Sequence, residues 1–149
     1  MMRVFTIGYQ GATQAEVIAT LQTAGIRQVI DVRAVPLSRK PGFSKNVLRN
    51  GLAAAGIDYL HLKGLGTPPE GREAARRGHH ADLERIYAEQ LKSPEAIAEA
   101  EIMLDAASER PSALLCFERD PAACHRTLLI AAVAPNAEVV DLFVDPAGQ

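Results

Sequence analysis

Three residues with reactive or charged side chains stand in a row at the end of the segment LLCFERDPAACHR: Cys124, His125 and Arg126. Asp120 and Pro121 supply a cap and a first-turn proline for a helix running to Val133, apolar nearly all round, which puts the triplet in its first turns. There the unpaired N–H groups and the helix dipole favour an anion and help a thiol ionise. Cys124 beside an imidazole and a guanidinium is therefore a candidate nucleophile. On the same helical face as Leu128 and Ala131 it also fits a buried packing cysteine. Cys116, Cys124 and His125 offer metal donors as a third reading, but Cys-x7-Cys-His matches none of the usual structural zinc spacings, and we assign no metal ligand. Glu118 reads either as a general base or as an ion-pair partner of Arg126 or Arg33.

A second group gathers around the segment QVIDVR. Asp31 and Arg33 close an apolar run, where the carboxylate can orient a neighbour and the guanidinium can grip an anion in a bidentate manner; a structural pair at the sheet edge explains them equally. Gly8 and Gly11 flank Tyr9 in a turn that allows close backbone approach to a ligand, without the full dinucleotide or phosphate-loop glycine pattern. Ser38 and Arg39 lie in the following loop, and Tyr59 and His61 in a later apolar run.

These residues need elements to hold them. Val4–Ile7, Gln28–Val32, Tyr59–Leu62, Ala113–Phe117 and Glu138–Phe143 read as five short strands, and helical spacing separates them: Val17, Ile18 and Leu21 after Thr13, Val47, Leu48 and Leu52 after Ser44, then 83–91, 95–107 and the helix ending at Val133. Residues 64–82 form the least regular stretch, with room for a short helix. The alternation predicts one α/β domain over residues 1–149, with a largely parallel sheet of about five strands and helices on both faces. In such a sheet ligands bind beyond the carboxyl ends of the strands, and every distinctive segment then falls on that edge.

Composition narrows the class. With 149 residues, 48% apolar and 23% charged, the chain has the material for one globular core, and disorder or a fibrous class is excluded. The apolar stretch before Gly8 is too short for a signal segment, and no run reaches bilayer-spanning length, so we expect a cytoplasmic protein with reduced thiols and no membrane partner. A formal net charge of −2 hides an uneven distribution: residues 1–80 hold 11 Lys/Arg against 5 Asp/Glu, and the remainder 5 against 13. The basic stretch 27–49 suits an anionic small molecule or a nucleic acid, or is a solvated face.

In order, TIGYQG (6–11), DVRAVPLSRKPGFSK (31–45), GIDYLHLKGLGTP (56–68) and LLCFERDPAACHR (114–126) resemble the domain of unknown function 488 family. The resemblance spans nearly the whole chain and matches at Thr6, Gly8, Asp31, Arg33, Pro36, Ser38, Arg39, Tyr59, His61, Gly66, Cys116, Glu118, Cys124, His125 and Arg126. Tyr9 stands where many relatives carry histidine. The resemblance implies no particular activity or cofactor. The expectation is an anion-binding cleft at the strand ends, with Gly8, Tyr9, Gly11, Arg33, Ser38, Arg39, Tyr59, His61, His125 and Arg126 around the ligand. If it is an enzyme, a hydrolase or transferase, Cys124, Glu118 and Asp31 are the candidates for catalysis. The alternatives are a nucleic-acid-binding module using 27–49 and a metal-binding protein.

Overall fold

The computed structural model describes residues 2–145. Five strands, β1 (Arg3–Gly8), β2 (Gln28–Asp31), β3 (Asp58–His61), β4 (Ser112–Cys116) and β5 (Glu138–Leu142), form a single sheet in the order β3-β2-β4-β1-β5. Every pairing is parallel. The central strand β4 is buried along its whole length and β1 along all but its first residue. That is the burial expected of parallel strands covered on both faces.

Six helices cover the sheet: α1 (Gln14–Thr23), α2 (Lys45–Ala54), α3 (Pro69–Arg76), α4 (His80–Gln90), α5 (Pro94–Glu109) and α6 (Arg126–Val133). Period-two alternation divides the core. Phe5, Ile7, Val29 and Leu115 pack with Val17, Leu21, Leu48 and Leu52 of α1 and α2, while Val4, Ile30 and Leu114 pack with Tyr87, Met103 and Leu129 of α4, α5 and α6. Thr13 caps α1 through a complete capping box with Glu16, and Ser93 caps α5 by accepting from the Ala96 N–H. Among the described residues no helix is long and apolar enough to cross a membrane.

Three expectations change. The stretch 64–82 is mostly helical: a 3-10 turn at Lys63–Leu65, then α3, then the start of α4. Pro69 at the first helical turn and Glu70 beside it are suited to a helix start. Ser44 precedes α2 but does not cap it, because its hydroxyl accepts from the Ser38 N–H at 3.1 Å instead. The last helix begins later than Pro121. Asp120 caps only a 3-10 turn, Pro121–Ala123, by accepting from the Ala122 N–H; the chain then extends at Cys124 (φ −132°, ψ −175°), and α6 starts at Arg126. Cys124 is therefore outside the helix and shares no helical face with Leu128.

Candidate active site

β4 enters the sheet between β2 and β1, so the loop that follows it meets the loops after both neighbours. The Gln10 N–H donates to the Phe117 carbonyl at 2.8 Å, and the Val32 N–H to the Leu115 carbonyl at 3.2 Å. Gly8 is what lets these loops close: a Cβ there would lie 1.8 Å from the Glu118 carbonyl oxygen. On the other side, a Cβ at Gly66 would lie 2.3 Å from the Ala34 nitrogen. Between these seams opens a cavity of about 430 Å³ at the carboxyl ends of β1, β2 and β4.

The floor of the cavity holds both cysteines. Cys116 ends β4, and its Sγ lies 2.7 Å from Cys124 Sγ and 3.5 Å from Glu118 Oε2. Cys124 Sγ also accepts two N–H groups of Arg126, from the backbone at 3.3 Å and from Nε at 3.0 Å. The Arg126 side chain has no solvent exposure; Nη2 donates to the Glu118 carbonyl, and Nη1 has no hydrogen-bond partner. A fully buried guanidinium carries a large desolvation cost unless it is compensated by charge. Burial works against ionising Cys124, but the Cys116 S–H, the Arg126 charge and the two Arg126 N–H groups outweigh it and hold the thiol below its ordinary pKa. Cys116 moves the opposite way, pushed well up by burial and then by its neighbour Cys124. The pair is therefore unequal: its surroundings favour ionisation at Cys124 and retention of the proton at Cys116.

His125 stands beside this pair with a different task. Its Nε2–H donates to the Val32 carbonyl at 2.8 Å and its ring meets Tyr87 edge-on, fastening the start of α6 to the end of β2. Burial pushes its pKa down to about 4, so the ring is neutral. Donor atoms of Cys116, Cys124 and His125 lie within 4.8 Å of one another. Two thiolates on one tetrahedral zinc stand about 3.7 Å apart, from the usual zinc–sulfur length. The 2.7 Å separation here is much closer than that.

Asp31 and Arg33 form a closed network behind the wall. Asp31 is fully buried and accepts from Arg33 Nε, Nη2 and backbone N–H and from the Tyr59 hydroxyl. Arg33 Nη1 donates to the Tyr9 hydroxyl and the Phe43 carbonyl, while Tyr9 stacks on Phe43 with ring centres 4.3 Å apart. His61 Nε2 donates to the Arg33 carbonyl. The guanidinium is thus largely committed inside the protein, and the Asp31–Arg33 pair ties β2 to β3 and to the loop before α2.

Of the residues singled out in the sequence, Tyr9, Arg33, Ser38, Arg39, Cys116, Glu118, Cys124 and His125 line the cavity. Gly8, Asp31, Tyr59, His61 and Arg126 support it from behind, and Gly11 sits in the β1–α1 turn with φ +77°, where an added Cβ would have nothing within 4 Å. Glu118 forms no ion pair among the described residues; Arg126 takes its backbone carbonyl instead. Sequence reasoning missed Arg72 and Arg76, which line the cavity from α3. Their i,i+4 spacing after Pro69 was the available signal. Spacing along the chain offers Cys116 only as a metal donor, whereas the fold makes it the partner of Cys124.

Comparisons with curated proteins and with solved structures gave no match. A family model does match, over residues 13–133, a span that contains Asp31, Arg33 and Tyr59, α3 and the whole thiol cluster but begins beyond Gly8, Tyr9 and Gly11. The chain therefore belongs to the family described as Domain of unknown function DUF488.

Proposed function

We propose that the protein is a thiol-dependent enzyme that takes a small anionic molecule into the strand-end cavity, with Cys124 as its nucleophile. The observation that carries this reading is the convergence of the Arg126 Nε–H, the Arg126 backbone N–H and Cys116 on Cys124 Sγ, an arrangement that favours the thiolate, the reactive form of cysteine. A cavity of about 430 Å³ has the size of a small-molecule site. Arg39 and Arg72 supply positive charge at its wall, against the single carboxylate of Glu118. Arg39 has no ion-pair partner among the described residues, and Arg72 uses Nη1 on the Thr67 carbonyl, leaving its remaining donors for an anion.

The basic stretch 27–49 lends weaker support to a nucleic-acid surface. Arg27 adjoins the amino end of β2, Arg33 is buried at the other end on Asp31, and Arg49 is on α2 bonded to Asn46. Arg33, held on Asp31, is withdrawn from any such surface. Alkylation of the folded protein by iodoacetamide tests the proposal: Cys124 is expected to react first, Cys124→Ala to abolish that labelling, and sulfate or phosphate to slow it. Labelling at Cys116 alone, or rates indifferent to both anions, would remove the nucleophile or the anion site respectively.

A further inference from the structure

The Cys116–Cys124 pair has a geometry that a lone nucleophile does not need. The sulfurs are 2.7 Å apart, within about 0.7 Å of a disulfide bond length, so bonding asks for a shift well under an ångström. The two thiols are also unlike: Cys124 rests on the Arg126 guanidinium, while Cys116 sits between Cys124 and the Glu118 carboxylate. Two thiols and a carboxylate thus stand in sequence, Cys124 to Cys116 to Glu118, along the lining of one cavity. At its mouth, Val35, Leu37 and Phe117 expose apolar surface beside Arg39 and Arg72. A ligand that fills that wall carries an apolar part beside its negative charge.

We propose that Cys116 and Cys124 form a redox pair that reduces low-molecular-weight organic disulfides bearing carboxylates, an inference that rests on Cys124 being the nucleophile proposed above. In the first step Cys124 Sγ attacks one sulfur of the substrate; a Cys124–substrate disulfide forms, the substrate S–S bond breaks and one substrate thiolate leaves. In the second, Cys116 gives its proton to Glu118 and attacks Cys124 Sγ. The Cys116–Cys124 disulfide forms and the second substrate thiolate leaves. The substrate disulfide gains two electrons and becomes two thiols, and the protein dithiol loses two and becomes a disulfide. An external thiol or dithiol reductant restores the starting state by the reverse exchange. As the disulfide forms, Arg126 loses its thiolate partner, and the reductant restores that contact when it regenerates the dithiol.

The test uses the full chain with oxidised glutathione, an anionic disulfide, and reads intact mass and released thiol after acid quenching. The wild type is expected to end lighter by two hydrogens, with no glutathione attached and two thiols released per chain. Cys116→Ser is expected to hold one glutathione on Cys124 and release one thiol; Cys124→Ser is expected to stay unmodified. Cystamine, a cationic disulfide, should react at least about ten-fold more slowly with the wild type. Should Cys116→Ser fail to fold, the wild-type mass and thiol count decide alone. A wild type that keeps its adduct overturns the resolving role and leaves Cys124 a nucleophile. One that stays reduced while iodoacetamide labels Cys124 overturns disulfide reduction but not the nucleophile. Inertness to both reagents overturns the two readings together, and equal rates with cystamine overturn the anionic substrate class.

Discussion

Arg126 is the residue on which the thiol chemistry turns, because it is the only cation whose side chain touches a sulfur among the described residues. Its removal takes away the charge and the Nε–H and leaves only the Cys116 S–H and the backbone N–H of residue 126 to oppose burial at Cys124. Arg126→Met should therefore raise the pH midpoint of Cys124 alkylation and slow labelling at neutral pH, roughly ten-fold. Arg126→Lys keeps the charge and should recover part of the rate, while losing the double N–H approach. His125 makes a separate prediction, read in stability and not in rate. Its folded pKa of about 4 lies below the ordinary value of 6.5, so between these values the unfolded chain binds a proton that the folded chain does not. Stability is then fully present above 6.5 and falls as the pH drops towards 4, by about 3 kcal/mol across the window. Urea midpoints measured at several pH values should show this slope in the wild type and a much flatter one in His125→Gln.

Among the elements, the seam between β1 and the loop after β4 is what brings the cysteine-bearing segment over the cavity. Gly8→Ala drives a methyl into the Glu118 carbonyl, which is also an acceptor for Arg126, and should cost about 2–3 kcal/mol in urea unfolding and disturb Cys124 labelling. Gly11→Ala meets no neighbour and should cost only about 1 kcal/mol, from its positive φ, with labelling unchanged. The inner strands β1, β2 and β4 were legible because their apolar runs are buried on both faces, and Thr13 marked the start of α1. The start of α6 was not. Asp120-Pro121 is a sound helix opening, but local capping chemistry also fits a single 3-10 turn, and the Arg126 N–H finds its partner in a sulfur that sequence periodicity does not weigh. The helix α3 was hidden by the prolines, glycines and histidines around it, although Pro69, Glu70 and the Arg72–Arg76 spacing were present.

At the scale of the whole molecule, the parallel sheet explains why residues from four distant segments share one cavity, and that convergence could be anticipated from strand alternation alone. Which strand lies between which others could not. The placement of β4 between β1 and β2 seats Gly8 on Glu118 and His125 on Val32, and the pairing of β3 with β2 brings Tyr59 to Asp31, so these contacts depend on long-range order that spacing along the chain does not encode. The cavity wall built this way predicts that Arg39→Gln and Arg72→Gln together should weaken protection of Cys124 by sulfate several-fold while leaving unprotected labelling near its wild-type rate. The most direct measurement is the pH profile of iodoacetamide labelling at Cys124, followed by peptide mass in the folded wild type. A midpoint clearly below the value of about 8.5 for a free thiol is predicted; a midpoint at or above it would contradict the thiolate on which the proposed chemistry stands.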